Sequence, residues 1–147
     1  MDRLFSTDVL LVEDSAYDAE LTLHTLQQQL LANRVVWVKD GEEALDYLFC
    51  RGRYAGRDPI PPRLVLLDLK LPKVDGLEVL AAMKGDSRLQ HSPVVMLTSS
   101  AEESDLIQSY NLGVNSYVVK PMDFDTFRAE VAKLGFYWLL INRAPAR

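Results

Sequence analysis

The chain has 147 residues, of which 48% are hydrophobic and 25% are charged, and its formal net charge at pH 7 is −5. This length and composition fit one globular domain and exclude a disordered chain, and the acidic balance argues against bulk binding to nucleic acid or anionic membranes. The single cysteine, Cys50, excludes an internal disulfide and a thiolate metal cage.

Short apolar runs alternate with helical patterns along the chain. In chain order, the pattern predicts strand 9–12, a helix with an apolar stripe from 19 to 30, strand 34–38, helix 42–50, strand 64–67, helix 76–84, strand 94–97, helix 102–110, strand 117–119 and a last helix over about 123–142. Such alternation is typical of an α/β protein whose parallel sheet is covered by helices on both faces. Ligands of such sheets bind beyond the carboxyl ends of the strands.

A long loop, residues 51–63, separates the second predicted helix from the third strand. It contains three prolines and two glycines, together with the four arginines Arg51, Arg53, Arg57 and Arg63. The arginines leave three interpretations open: a solvated loop, a contact with a partner protein, or a contact with nucleic acid. Four arginines on an acidic chain are weak evidence for binding to nucleic acid.

Polar side chains follow four of the five predicted strands. Glu13 and Asp14 follow the first, Asp68 the third, Thr98 the fourth and Lys120 the fifth. Clustered carboxylates repel one another, so their convergence indicates a bound cation, and oxygen ligands favour Mg²⁺. A carboxylate can also act as a nucleophile and form an aspartyl phosphate, whose charge Mg²⁺, a lysine and a hydroxyl stabilise. Each residue alone would be an ordinary helix cap or surface side chain, and only the combination indicates this chemistry.

Four motifs make the chain similar to the receiver domains of two-component response regulators. They are VLLVEDS near the start, LVLLDLKLPKVDG in the middle, VVMLTSS after it and SYVVKP near the end. The resemblance spans about 9–136, and it implies a flavodoxin-like, doubly wound sheet with strand order 2-1-3-4-5. It further implies that Asp68 accepts a phosphoryl group from the phosphohistidine of a histidine kinase.

The resemblance also implies a role for each matching residue. Mg²⁺ would be held by Asp14, Asp68 and the backbone carbonyl of Lys70, and by Glu13 through bound water. The phosphoryl group would be held by Thr98 and Lys120, and Tyr117 matches the switch aromatic that turns inward as Thr98 moves toward the phosphate. In this family the peptide bond between Lys120 and Pro121 is usually cis.

Lys70 and Ser100 each lie two residues after a motif residue, at positions that tune the lifetime of the phosphoryl group in the family. Lys70 either reaches over the aspartyl phosphate and slows its hydrolysis, or points into solvent. Both alternatives stay open at this point.

The last predicted helix carries more apolar surface than one face of a sheet can cover. A stripe at steps of three and four residues accounts for packing on the sheet. We expect the apolar side chains near its end to form an exposed dimer interface: Phe136, Tyr137, Trp138, Leu139 and Leu140. The alternative is a tail that folds back over its own domain. We expect a single receiver domain over 1–147, with a core at about 8–135 and an interface tail at about 136–147.

The arginine-rich loop and the tail GFYWLLIN resemble the stand-alone regulators of bacterial phytochrome kinases, which form dimers. This resemblance predicts a phytochrome-type histidine kinase as the partner and a homodimer through the last helix. The acidic balance of the chain predicts no contact with nucleic acid. No apolar run approaches the roughly 20 residues of a membrane span, and the first residues lack the pattern of a signal peptide. We therefore expect a cytoplasmic protein that does not contact a membrane.

The predicted function is a signalling switch with only intrinsic autophosphorylation and autodephosphorylation activity, rather than a metabolic enzyme. One alternative is a small Mg²⁺-dependent phosphatase with Asp68 as its nucleophile, although no second acid stands two residues later to protonate a leaving group. The other is a scaffold that works without phosphorylation, although a scaffold gains nothing from mutually repelling carboxylates.

Overall fold

The structure is a computed structural model, and it describes residues 7–29, 34–143 and 145. Its elements in chain order are β1 (Val9–Val12), α1 (Ala16–Gln28), β2 (Val35–Val38), α2 (Gly41–Leu48), a 3₁₀ turn (Gly52–Tyr54), β3 (Leu64–Leu67), α3 (Gly76–Lys84), β4 (Val94–Thr98), α4 (Glu103–Asn111), β5 (Ser116–Val119), α5 (Phe124–Phe136) and a π turn (Tyr137–Ile141). Each predicted strand and helix is present, with its ends shifted by at most a few residues. Leu30, the last residue of the first predicted apolar stripe, lies outside the described residues.

The five strands form one parallel sheet in the order β2-β1-β3-β4-β5, which confirms the predicted fold. Val12 of β1 pairs with Val38 of β2 and with Leu67 of β3, so these strands end side by side. The three central strands, β1, β3 and β4, are buried along their whole length. Neither face of these strands contacts solvent, which explains why their sequences are uninterrupted apolar runs.

Two layers of helices cover the sheet, and alternate side chains of each strand serve one layer or the other. On one face, Leu10 and Leu67 pack in a core with buried residues of α2 and α3. On the opposite face, Leu11 and Leu66 pack with residues of α1 and α5, among them Val131. The helices therefore leave the carboxyl ends of the strands open for a site.

Gly135 lies near the end of α5, where this helix packs against α1. A Cβ atom at this position would lie 2.9 Å from the Cδ2 atom of Leu26 and 2.8 Å from Oε1 of Gln29. Gln29 also donates a hydrogen bond of 2.8 Å to the carbonyl of Ala132. The glycine, which costs a helix up to about 1 kcal/mol, thus allows the two helices to approach closely.

The apolar residues predicted as a dimer interface divide into two groups. Leu139 is only 6% exposed and Trp138 is half-buried, and both pack against the core beneath α1 and α5. Phe136, Tyr137 and Leu140 are about half exposed. The expectation of exposure was therefore wrong for Leu139, because helical spacing of 3.6 residues does not anticipate a π turn, which holds one more residue per turn.

Arg63, the last residue of the arginine-rich loop, anchors this π turn. Its guanidinium donates a hydrogen bond to the carbonyl of Leu139 and lies 3.3 Å from a carboxylate oxygen of Asp8. The turn is closed by a hydrogen bond of 2.7 Å from the N–H of Asn142 to the carbonyl of Tyr137. Within the described ranges, no helix combines the length and the apolar character that crossing a bilayer requires.

The other three arginines of the loop also contact groups of this domain. Their partners are Asp46 for Arg51, Glu43 for Arg53, and the backbone carbonyl of Tyr47 for Arg57. The guanidinium of Arg57 lies 4.1 Å from the centre of the Tyr47 ring, a cation–π contact. The loop is therefore held against α2 by its basic residues, an intramolecular role that the sequence analysis did not consider.

Candidate functional site

Three carboxylates meet at the carboxyl edge of the sheet. Glu13 and Asp14 follow β1 and Asp68 follows β3, and because these strands end side by side, the carboxylate groups come together. Each residue contributes one carboxylate oxygen, and these three oxygens lie within 4.8 Å of one another. Glu13 and Asp68 are buried, whereas Asp14 is exposed. Such a set of hard oxygen ligands, open to solvent on one side, fits a divalent cation such as Mg²⁺.

Lys120 reaches this cluster from the end of β5. Its Nζ donates hydrogen bonds to three carboxylates: 2.7 Å to Glu13, 3.0 Å to Asp18 and 3.1 Å to Asp68. Burial alone would lower the pKa of Lys120, but the hydrogen bond to Glu13 and the charges of Asp68 and Glu13 outweigh it and raise that pKa. The ammonium therefore keeps its charge although its side chain is almost completely buried.

The electrostatics of Glu13 show how crowded with negative charge the cluster is. Burial raises the pKa of Glu13 to about 7 even though the hydrogen bond and the charge of Lys120 oppose it, and the charge of Asp68 adds to the rise. When the three carboxylates around Lys120 and the carboxylate of Asp14 are all ionised, one ammonium leaves most of their charge uncompensated. A divalent cation would offset that charge, so the donor set and its charge both fit Mg²⁺.

Asp18 is a site residue that the sequence analysis missed. It lies in the first turn of α1, and its backbone N–H donates to the side chain of Ser15, which caps the helix. The apolar stripe predicts this helix from residue 19, which leaves Asp18 outside it. A serine followed three residues later by an acid is a recognisable start of a helix, and that pattern would have placed Asp18 beside the strand ends.

Thr98, the last residue of β4, lies almost completely buried at the same edge. Its hydroxyl oxygen accepts a hydrogen bond of 3.2 Å from the N–H of Ser100. Its carbonyl accepts one of 2.7 Å from the N–H of Lys120, because β4 and β5 are paired. The hydroxyl and the ammonium thus stand at the ends of neighbouring strands, as the sequence predicted.

Tyr117 links β5 to the loop that follows Thr98. Its hydroxyl donates a hydrogen bond of 2.9 Å to the carbonyl of Ser100, and its ring packs against the core beneath α2 and α3. Partial burial raises the pKa of the Tyr117 hydroxyl. Any movement of the loop after Thr98 must therefore change the hydrogen bonding of Tyr117.

Lys70 does not point freely into solvent, because it faces Asp105 in the first turn of α4. The Nζ of Lys70 lies 3.6 Å from Oδ2 of Asp105, and the same oxygen accepts a hydrogen bond of 2.5 Å from the hydroxyl of Ser100. The carboxylate is buried, whereas most of the Lys70 side chain is exposed. Asp105 thus joins the loop after β3 to the loop after β4.

The peptide bond between Lys120 and Pro121 departs from the expectation. The resemblance implied a cis bond, whereas the described residues contain no cis peptide bond. Trans is the isomer that X–Pro bonds ordinarily favour, by about 0.5–1 kcal/mol.

Comparisons with known proteins agree with the fold. The family model of the response regulator receiver domain matches residues 9–132. Among curated proteins, the probable methanogenesis regulatory protein FilR2 of Methanothrix harundinacea is 43% identical and aligns over 93% of this chain and 86% of its own. The response regulator Rcp1 of Synechocystis sp. is 38% identical over 94% of this chain and 92% of its own.

Solved structures show the same similarity. The Mn²⁺-bound form of Rcp1 superimposes with a TM-score of 0.89 over 95% of this chain and 99% of its own, at 38% identity. The phosphorylated cyanobacterial phytochrome response regulator RcpA has a TM-score of 0.89 over 96% and 99%, at 39% identity. The bacteriophytochrome response regulator AtBRR is 56% identical, with a TM-score of 0.73 over 94% of this chain and 99% of its own.

Proposed function

The chain belongs to the response regulator receiver family, and we propose that it is a signalling switch that accepts a phosphoryl group on Asp68. Phosphorylation and Mg²⁺ binding in an acidic pocket are general features of this family. The observation that carries the assignment is the 3.1 Å hydrogen bond between Lys120 Nζ and Asp68, inside a cluster of carboxylates. Asp68 thus lies where a cation and an ammonium can together stabilise added negative charge.

The reaction that this site supports is a phosphoryl transfer. A carboxylate oxygen of Asp68 attacks the phosphorus of a phosphohistidine, the P–N bond breaks, and the imidazole leaves with its electron pair. Asp14, Asp68 and the backbone carbonyl of Lys70 would hold Mg²⁺, which when bound neutralises charge on the phosphoryl oxygens. Glu13 would contact the ion through water, while Lys120 and the hydroxyl of Thr98 hold the transferred group.

The signal leaves the site through the loop that follows Thr98. When Thr98 turns toward the phosphoryl group, the backbone of Ser100 moves with it, and the hydrogen bond from Tyr117 to this backbone is lost or rearranged. Tyr117 and the adjoining surface of α4 and β5 then present a different face to a partner. The output of the switch is protein association rather than metabolic turnover.

The partner that we propose is a histidine kinase of the phytochrome type. The support is the similarity to RcpA and AtBRR, whose names describe regulators of phytochromes. The chain covers 99% of the length of both proteins. A panel of purified kinases tests this assignment: the fastest transfer should come from a phytochrome kinase, and faster transfer from another class would contradict it.

We also propose that the chain forms a homodimer through α5 and the π turn. Phe136, Tyr137 and Leu140 expose about half of their surface next to one another in the chain, together with Ile141. In sedimentation velocity, Leu140→Glu should shift the protein toward monomer, whereas Tyr17→Glu on α1 serves as a comparably exposed control outside α4, β5 and α5. A repeat with beryllofluoride, a mimic of the phosphoryl group, shows whether phosphorylation changes the association.

Incubation with Mg²⁺ and acetyl phosphate tests the central proposal. Intact mass spectrometry should show one added phosphoryl group per chain, and Asp68→Asn should abolish it. Incorporation that survives in Asp68→Asn would place the acceptor elsewhere. Repeated turnover of phosphomonoesters would instead indicate a phosphatase, and a wild-type chain that takes up no phosphoryl group would indicate a scaffold.

A further inference from the structure

We propose that Asp18 is a positioning residue that holds the Lys120 ammonium in the unphosphorylated site and releases it when Asp68 is phosphorylated. In this role Asp18 opposes phosphorylation and sets how strongly the site favours its unmodified state. The inference rests on the proposed function of Asp68, and it assigns a task to a residue outside the set that the sequence motifs identify.

Lys120 has no unused hydrogen-bond donor in the unphosphorylated site. An ammonium group has three N–H donors and no acceptor. All three have a carboxylate partner here, namely Glu13, Asp18 and Asp68. A phosphoryl group on Asp68 brings three new oxygens, and the donor that now contacts Asp68 can turn to one of them. Lys120 can serve a second of these oxygens only if it gives up Glu13 or Asp18.

Burial decides which partner is released. The side chains of Glu13 and Asp68 are 4% and 10% exposed, whereas that of Asp18 is 24% exposed. A buried carboxylate that loses its counter-charge suffers a large desolvation penalty, whereas water can solvate an exposed one. Asp18 therefore loses its contact with Lys120 at the smallest cost in free energy.

The surroundings of Asp18 also favour the release of Lys120 from this residue. Asp18 lines an open groove of about 450 Å³ between α1 and the segment after β5, together with Tyr17, Pro121 and Met122. Water in this groove reaches the carboxylate directly. The release of Lys120 thus requires a rotation of one partly exposed side chain and leaves the helix in place.

The charge of Asp18 opposes phosphorylation of Asp68, as its hydrogen bond to Lys120 does. Asp18 and Asp68 contact the same nitrogen atom, at 3.0 and 3.1 Å, so they lie close enough to repel each other. A phosphoryl group increases the negative charge on Asp68 and therefore the repulsion. Asp18→Asn keeps the shape of the side chain but removes this charge, so it should favour the phosphorylated state.

Calorimetric titration of the full chain with beryllofluoride at saturating Mg²⁺ tests the proposal. Asp18→Asn should bind the mimic about fivefold more tightly than the wild type, the effect expected for removing one partly exposed ion pair. Glu20→Gln is the matched control, because Glu20 is an exposed acid on the same helix. It should change the affinity less than twofold.

A separate titration with Mg²⁺ distinguishes positioning from structural damage. Asp18→Asn should bind the ion with equal or weaker affinity, because it removes negative charge, while it binds beryllofluoride more tightly. Damage to the site would weaken both, and that result would overturn the proposal. An unchanged or weaker affinity of Asp18→Asn for beryllofluoride would also overturn it, as would an equal gain in Glu20→Gln. If the wild-type chain binds no beryllofluoride, that result would contradict the proposed function of Asp68 itself.

Discussion

The indole Nε1 of Trp37 donates a hydrogen bond of 2.7 Å to the backbone carbonyl of Glu13. Trp37 lies on β2, at the edge of the sheet, and Glu13 is the first acidic residue after β1. An aromatic ring is thereby fixed directly beside the carboxylate cluster. The environment of this indole should respond to any ion or phosphoryl group that the cluster binds.

Mg²⁺ should therefore change the fluorescence of Trp37 in a saturable titration. The chain has two tryptophans, and Trp138 lines a cavity with Pro62 and Pro93, which precede β3 and β4 at the amino edge of the sheet, opposite the carboxylate cluster. Trp37→Phe should abolish the response to Mg²⁺, whereas Trp138→Phe should retain it. If the response survives in Trp37→Phe, the ion binds away from the cluster.

Asp14→Asn should remove the stabilisation that Mg²⁺ gives to the fold. A ligand at ten times its dissociation constant adds about 1.4 kcal/mol to the free energy of unfolding. Without Mg²⁺, the variant should be at least as stable as the wild type, because one of three repelling carboxylates is gone. Thermal unfolding with and without Mg²⁺ measures both effects, with Glu20→Gln as the control. A full Mg²⁺ gain in Asp14→Asn would exclude Asp14 as a ligand.

Gly76→Ala should destabilise the fold and disturb the position of Asp68. A Cβ atom on Gly76 would lie 2.3 Å from the carbonyl oxygen of Asp68 and 2.9 Å from the Cα atom of Leu69. Both are backbone atoms that cannot rotate away, so we expect a loss of about 1–3 kcal/mol in the free energy of unfolding. Gly56→Ala is the control, because a Cβ atom there meets nothing within 4 Å. Equal stability of the two variants in chemical denaturation would contradict the close approach.

Lys70→Ala should shorten the lifetime of the aspartyl phosphate. The ion pair of Lys70 with Asp105 is exposed on the lysine side and weak, so Lys70 can turn to the phosphoryl group and screen it from water. The loss of about 0.5 kcal/mol of stabilisation should speed dephosphorylation about twofold. Lys73→Ala, in the same loop but paired with Asp40 and Glu42, is the control. An unchanged rate in Lys70→Ala would contradict a contact between the Lys70 side chain and the phosphoryl group.

Arg63→Ala should loosen the π turn. The variant loses the hydrogen bond from the guanidinium to the carbonyl of Leu139 and the ion pair with Asp8. We expect the free energy of unfolding to fall by about 1–2 kcal/mol. Amide hydrogen exchange over residues 137–142 should become faster. Arg128→Ala, which removes an exposed ion pair within α5, should change the exchange little. Unchanged exchange in Arg63→Ala would mean that packing of Leu139 alone holds the turn.

The elements that sequence patterns predicted best are those whose pattern depends on burial alone. Strand Leu64–Leu67 and helix Gly76–Lys84 have the predicted bounds, because an apolar run between polar residues leaves little choice of ends. The meeting of Glu13, Asp68 and Lys120 was also predictable, since parallel strands end at one edge of the sheet.

Features that depend on packing between distant segments were not predictable. The inward direction of Leu139 depends on a π turn whose end is anchored by Arg63, 76 residues earlier in the chain. The contact of Asp18 with Lys120 depends on how closely α1 approaches the end of β5, and no periodicity in either segment encodes that distance. The partners of the loop arginines likewise follow from tertiary contacts.

The hydrogen bond between Glu13 and Lys120 joins residues 107 positions apart. A ribosome therefore synthesises the carboxylates of the site long before it synthesises their counter-charge. Until β5 has emerged and paired with β4, the nascent chain has mutually repelling acids at its sheet edge and no ammonium between them. The proposed acceptor site is therefore incomplete until β5 has been synthesised and has paired with β4, and a nascent chain that stops before Lys120 lacks the ammonium that the site needs.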